Sequence, residues 1–170
     1  MNLVVIGYIF TVLGYVSYWV GRFSKKKSIL MYTNSLSSFF YILSFLAFKS
    51  YNGVSNSILV VLRGFCVVLK DKLNKKMYWL YLLFVIGFLA NAIIFWQGAA
   101  SIFVTICMLI NVTANWFFES QKLRLATCVA SIFYILFLFC IRNYVGILLE
   151  TTIILSNFLS YLKFRKASNN

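Results

Sequence analysis

Seven apolar stretches, each about as long as a bilayer-spanning helix, follow one another along this chain of 170 residues with short connections between them. The hydrocarbon core of a bilayer takes about 20 apolar residues per helix. Only 11% of the residues are charged, against about 25% in soluble domains, so a soluble core could not hide this apolar surface. The sequence therefore predicts an all-α polytopic membrane protein. Its seven transmembrane helices are expected at 3–22, 29–49, 54–70, 77–96, 98–118, 124–142 and 144–162.

Basic residues are distributed unevenly between the connections of these spans. Thirteen lie in the first, third and fifth connections and at the C-terminal end, whereas two, Lys49 and Arg142, lie on the opposite side. Because Lys and Arg concentrate in cytoplasmic loops, the N-terminus is expected outside and the C-terminus in the cytoplasm. The net charge of +13 then follows from topology. We expect the basic residues to contact the anionic inner leaflet of the lipid bilayer, and we expect no binding to nucleic acid.

The inventory of reactive side chains argues against most enzymes. The chain has no histidine, and its acidic residues, Asp71, Glu119 and Glu150, are far apart in sequence. General acid–base chemistry uses imidazole or closely placed carboxylates, and zinc sites use histidine and cysteine clusters. The sequence therefore predicts no enzyme, no metal site and no cofactor.

Two stretches of the sequence resemble each other at a separation of 93 residues. Between 38–72 and 131–165, 11 of 35 aligned positions are identical, among them Tyr41/Tyr134 and Gly53/Gly146. This match predicts two parallel three-helix repeats joined by a linker helix, a 3+1+3 arrangement like that of SWEET-type sugar transporters. The predicted units are a first repeat at 1–72, the linker helix at 73–97, a second repeat at 98–166 and a short polar tail at 167–170.

Two ionisable residues lie inside predicted spans. Arg63 follows Gly53 by ten residues, about 15 Å along a helix, and Glu150 follows Gly146 by four residues, about 6 Å. A charge inside the bilayer costs about 2.5–3.5 kcal/mol on insertion scales. We expect Arg63 and Glu150 to bind a substrate or ion at the seam between the two halves. A structural ion pair, or extension of each side chain toward an interface, is the alternative.

Polar residues recur at helical spacing on four of the spans. Residues three, four or seven positions apart share one face of a helix, so these side chains could line a pathway for a polar solute. The candidates are Asn34, Ser38 and Tyr41 in span two, Asn111 and Asn115 in span five, Thr127, Ser131 and Tyr134 in span six, and Asn157 in span seven. Hydrogen bonding between helices is the alternative use of these groups.

Span one carries glycines at a spacing of seven residues, at Gly7, Gly14 and Gly21. Small residues on one face allow two helices to approach closely in a membrane. We therefore expect this face to pack against a neighbouring helix.

The run Asn143-Tyr-Val-Gly-Ile-Leu-Leu-Glu150, continuing to Asn157 and Lys163, resembles the last two helices of the bacterial inner-membrane YgjV family. The stretch from Gly53 to Arg63 is similar to the third helix of that family. The family is grouped by resemblance with the SWEET and PnuC-type vitamin transporters. The resemblance implies a multi-pass protein of the bacterial inner (plasma) membrane. Two departures are Val60, where the family's third helix is expected to carry a polar residue, and the absence of the prolines that SWEET proteins use as hinges.

These features together predict a small-solute membrane transporter or facilitator, with a polar pathway at the seam between two triple-helix bundles. The alternative is a non-transporting integral membrane protein that binds or regulates a partner. Access of water to the seam separates the two hypotheses. Either protein could be a homo-oligomer.

Overall fold

The computed structural model describes residues 3–22, 27–73, 77–118 and 120–168, and these residues form helices and no strand. The helices are α1 (Leu3–Arg22), α2 (Lys27–Ala47), α3 (Tyr51–Leu73), α4 (Tyr78–Ile94), α5 (Ala99–Phe117), α6 (Ser120–Cys140) and α7 (Tyr144–Ser168). The predicted all-α class is confirmed. Helix α3 is longer than the predicted span at 54–70, because Tyr51 and Asn52 begin the helix directly after the turn. The predicted polar tail lies partly within α7 and partly outside the described residues.

Four helical segments are long and apolar enough to cross a membrane, namely Leu3–Val20, Tyr51–Leu73, Ala99–Phe117 and Lys122–Cys140. The segments Tyr78–Ile94 and Tyr144–Leu159 are apolar but shorter. Large apolar side chains cover the surface of the bundle, and Ile93 on α4 is 78% exposed. Such a surface is stable in lipid, whereas in water it would drive aggregation.

The interior of the bundle, by contrast, contains many polar side chains. Asn52, Asn56, Asn143 and Asn157 are almost fully buried. In a membrane, helix association relies on close packing and on hydrogen bonds between helices, because lipid tails are as apolar as leucine. The polar interior and the apolar surface together indicate a membrane protein.

The helices pack as two groups of three. Helix α2 packs against α1 and α3, and helix α6 packs against α5 and α7. We call α1–α3 the first group and α5–α7 the second group. The groups meet where α1 contacts α7 and where α3 contacts α5, and α4 lies against α3 and α5.

The α2–α3 and α6–α7 turns share one backbone geometry. Lys49 and Arg142 both adopt the left-handed conformation, with φ of 56° and 58°. The N–H of Ser50 donates to the carbonyl five residues earlier, and the N–H of Asn143 does the same in the second turn. This is the Schellman arrangement that ends many helices. Every residue of the second turn stands 93 positions after its counterpart in the first.

Three turns lie together at one end of the bundle. The side-chain amide of Gln97, between α4 and α5, donates to the carbonyl of Lys49. Phe48, Gln97 and Ile141, one from each turn, line a surface hollow of about 380 Å³. We call this end the turn end and the opposite end the loop end. The loop end carries the connections in which the sequence is most basic, and four of their lysines, at 25–26 and 75–76, lie outside the described residues.

Glycines on α1 receive aromatic rings from α2. A Cβ atom added to Gly14 would lie 2.6 Å from the ring of Tyr41, and one added to Gly7 would lie 2.9 Å from the ring of Phe48. No real Cβ atom makes such contacts, so the absence of a side chain sets the distance between the two helices. The predicted packing role is confirmed for Gly7 and Gly14, whereas the surroundings of Gly21 are not described.

Gly14→Ala is expected to destabilise the protein by about 1–3 kcal/mol, the usual cost of overpacking, because the Tyr41 ring must move. Gly87→Ala on α4 is the matched control, since its added Cβ would lie at an ordinary 3.7 Å from Leu59. The melting temperature in detergent measures both variants. Equal melting temperatures for the two would contradict the packing described here.

Candidate functional site

A cavity of about 100 Å³ lies between the two groups of helices. Ten of the eleven residues predicted from the sequence line it: Asn34, Ser38, Tyr41, Arg63, Asn111, Asn115, Thr127, Ser131, Tyr134 and Glu150. The eleventh, Asn157, is buried but does not belong to the lining. The cavity therefore brings together candidates from α2, α3, α5, α6 and α7.

The cavity extends from the middle of the bundle toward the loop end. On α2 its lining runs from Met31, near the loop-end start of the helix, to Tyr41, and on α6 it runs from Leu123 to Tyr134. Both series stop at a tyrosine about two-thirds of the way toward the turn end. The lining therefore ends about six residues short of the turn end, at the level where Ser57 and Glu150 also lie on α3 and α7.

Aromatic rings close the cavity on the side of the turn end. Phe45 and Phe137 have ring centroids 5.6 Å apart, and Tyr134 lies 5.6 Å from Phe137. We call Tyr41, Phe45, Tyr134 and Phe137 the aromatic layer. Phe45 fits because α3 carries Gly53 opposite it, where an added Cβ would lie 2.8 Å from the ring. The layer separates the cavity from the surface hollow at the turn end.

Glu150 on α7 joins three helices at the edge of the cavity. The hydroxyl of Ser131 on α6 donates to its Oε1 over 2.5 Å, and the hydroxyl of Tyr15 on α1 donates to its Oε2 over 2.5 Å. All three side chains are buried. Each carboxylate oxygen therefore accepts at least one hydrogen bond, which is how proteins solvate a buried carboxylate. The bond to Tyr15 links the first group to the second.

Arg63 on α3 lies in a different environment. It is 2% exposed, and its Nε and Nη1 atoms are buried without a hydrogen-bond partner among the described residues. An arginine stays protonated in proteins, and burying a charge without a partner is costly. The ion pair with Glu150 that the sequence left open does not form within the described part of the chain. Arg63 thus contributes a positive charge to the cavity that these residues do not neutralise.

The hydroxyl and amide groups of the lining bond mainly within their own helices. The hydroxyls of Ser38 and Thr127 donate to carbonyls four residues earlier. The amide of Asn115 donates to the carbonyl of Asn111 over 2.7 Å. Ser131, in contrast, donates its hydrogen bond to Glu150 on another helix. The hydroxyl oxygens keep lone pairs that can accept a bond from a molecule in the cavity.

Residues from equivalent positions of the two groups face each other across the cavity. Six pairs of lining residues stand 93 positions apart in the sequence: Tyr18/Asn111, Asn34/Thr127, Ser38/Ser131, Tyr41/Tyr134, Ser57/Glu150 and Val60/Ile153. The two charged residues break this correspondence. Glu150 matches Ser57, and Arg63 matches Ser156, which is not part of the lining. Each group therefore supplies one charge of opposite sign.

A second buried polar junction lies near the turn end, and the sequence analysis missed it. The amide of Asn52 on α3 donates to the hydroxyl of Ser101 on α5 over 2.7 Å. Its Oδ1 accepts a bond from the amide of Asn91 on α4 over 3.2 Å. Asn52 lies outside the predicted span at 54–70 and is therefore not among the polar residues predicted for that span. The spacing of four between Asn52 and Asn56 was the available signal.

Tyr15→Phe is expected to lower the stability of the protein by about 1 kcal/mol, within the range measured for hydrogen bonds between membrane helices. The change removes one donor to Glu150 and leaves the ring. Tyr51→Phe is the control, because Tyr51 is exposed. Denaturant-dependent unfolding in detergent measures both. A Tyr15→Phe variant as stable as Tyr51→Phe would contradict the role of Tyr15 as a junction residue.

Comparison with known proteins gives one family. No curated protein and no solved structure matches the chain. The model of the Imp-YgjV family, described as bacterial inner membrane protein, matches residues 4–168. Because the match covers nearly the whole sequence, the chain belongs to this family of bacterial inner membrane proteins.

Proposed function

We propose that this protein is a small transporter or facilitator that moves a polar solute through the cavity between its two groups of helices. The observation that carries the proposal is the lining itself, in which polar side chains from six helices, Arg63 and Glu150 among them, meet around one cavity. A charge within the bilayer costs about 2.5–3.5 kcal/mol. A protein that acted only through its lipid-facing surface would gain nothing from a buried Arg63. The proposal includes no catalytic step.

In this proposal all seven helices cross the bilayer, and the two groups are parallel repeats with α4 as the linker. The matched α2–α3 and α6–α7 turns and the six matched lining pairs support it. The contacts between the two groups also agree with parallel repeats. A two-fold axis that exchanges α1 with α5 and α3 with α7 would convert the α1–α7 contact into the α5–α3 contact, and both contacts are present. This arrangement would resemble that of SWEET-type transporters, in which two parallel repeats are related by an axis along the membrane normal.

The basic connections favour an orientation with the loop end in the cytoplasm, the N-terminus outside and the C-terminus inside. The cavity then lies on the cytoplasmic side of the aromatic layer, and the surface hollow at the turn end lies on the outer side. The structure would therefore represent a state closed toward the outside. Transport requires that the aromatic layer open in another state.

Water access to the cavity is the first test. In a variant whose native cysteines are replaced, Ser38→Cys should react quickly with a small hydrophilic thiol reagent, because Ser38 lines the cavity. Ser37→Cys is the matched control, since Ser37 is fully buried on the same helix and does not line it. Modification is measured by mass spectrometry over time. Equal and slow modification of both cysteines would favour the partner-binding alternative over transport.

The aromatic layer is the second test. In the Ser38→Cys background, an impermeant reagent added to the outside of intact cells should modify the cysteine slowly. Adding Phe137→Ala should increase the rate, because it removes a fully buried ring of the layer. Phe139→Ala on the same helix is the control, since Phe139 is 65% exposed on the lipid-facing surface. The barrier is wrongly located if both phenylalanine variants react at the rate of the parent.

A further inference from the structure

We propose that the solute is a small amino carboxylate, whose carboxylate binds Arg63 and whose ammonium group faces Glu150. The inference rests on the proposed function, because it names the chemical class of the solute at the same cavity. It follows from the unfilled hydrogen-bonding capacity of Arg63, from the charge balance of the cavity and from its volume.

The guanidinium group of Arg63 favours an anionic group. Its Nε and Nη1 atoms are buried and without a partner among the described residues, and the residue belongs to the cavity lining. A guanidinium carries five N–H donors in a planar fork that matches a carboxylate. Hydrogen bonds between two ionised groups are about twice as strong as neutral ones. A neutral solute would leave this buried charge unbalanced.

The carboxylate of Glu150 favours a zwitterionic solute over a simple anion. Its two oxygens accept hydrogen bonds from Ser131 and Tyr15, which holds the carboxylate in place at the edge of the cavity. Arg63 and an ionised Glu150 bring one positive and one negative charge to the same lining. A monoanion would add a negative charge in a low-dielectric space, and a phosphate dianion would add two. A zwitterion adds none, and it offers each side chain an opposite charge.

The volume and the walls limit the rest of the solute. A space of about 100 Å³ is smaller than the pockets of roughly 300–1,000 Å³ that take drug-sized ligands, so it suits a short solute. The lining also contains apolar and aromatic side chains, including Met31, Met108 and Tyr134. These surfaces can contact a short aliphatic part. A disaccharide would exceed this space.

Binding to the purified full-length protein tests the inference with defined probes. The matched four-carbon set is 4-aminobutyrate, butyrate, butylamine and butane-1,4-diol, and glycine, alanine, leucine and 6-aminohexanoate vary the length and shape of an amino carboxylate. At least one amino carboxylate should raise the melting temperature by a few degrees at saturation. It should also slow the modification of Ser38→Cys, whereas the diol should do neither.

Substitutions of the two charged residues test which group of the solute each residue binds. Arg63→Gln should abolish both effects, and Arg63→Lys should keep part of them because the positive charge remains. Glu150→Gln should reduce the preference for the amino carboxylate over butyrate, since the negative charge that repels a monoanion is gone. Lys72→Gln is the matched control, because it also removes a positive charge from α3, at an exposed position, and should leave binding unchanged.

The outcomes separate this inference from the proposed function. Binding of butyrate or butane-1,4-diol as tight as that of every amino carboxylate, with Ser38→Cys reactive, would overturn the solute class and leave the pathway standing. Binding of an amino carboxylate that survives in Arg63→Gln would overturn the assignment to Arg63. An unreactive Ser38→Cys together with no effect of any probe would overturn both the pathway and the solute class.

Discussion

A membrane offers the outer surface of a protein no hydrogen bonds, and this constraint explains most of the structure. Polar groups within the bundle must find partners there, and apolar side chains gain little by turning inward. The two points where the groups of helices meet are therefore polar junctions. Glu150 and Tyr15 join α7 to α1, and Asn52 and Ser101 join α3 to α5. Close packing completes the bundle, with Gly14 and Gly53 admitting rings that a Cβ atom would displace.

Arg63 is an exception to the rule that polar groups within the bundle find partners there. Arg63 carries a full charge, yet its Nε and Nη1 atoms have no hydrogen-bond partner among the described residues. An arginine required only for stability would pair with Glu150, which lines the same cavity. Glu150 instead accepts its bonds from Ser131 and Tyr15. Burying the positive charge of Arg63 without a counter-charge costs free energy. Binding of an anionic group would recover that free energy, and we therefore assign Arg63 to a ligand.

The sequence predicted the elements better than their contacts. Hydropathy placed every helix because a bilayer requires apolar runs of defined length, and the rule of shared faces placed eight candidates on one cavity. The rule identifies residues that share a face and not the neighbours that this face contacts. Asn157 shares a face with Glu150 and lies about 10 Å further along α7, where it is buried outside the lining. The bond from Tyr15 to Glu150 joins residues 135 positions apart, and no local pattern signals it. Phe45 of the aromatic layer and the lipid-facing Phe39 have the same side chain, and only the assembled bundle distinguishes them.

Several lining residues stand 93 positions apart in the sequence, and comparing them shows where the two charges lie. Matched residues such as Ser38 and Ser131, or Tyr41 and Tyr134, present similar surfaces from opposite sides. A cavity built only from such pairs would accept a solute in two equivalent orientations. Arg63 and Glu150 stand at positions whose counterparts are the serines Ser156 and Ser57, so the two walls differ in the sign of their charge. This difference selects one orientation for a solute with a positive and a negative end. The positions at which the two halves diverge are therefore the ones expected to determine what the protein binds.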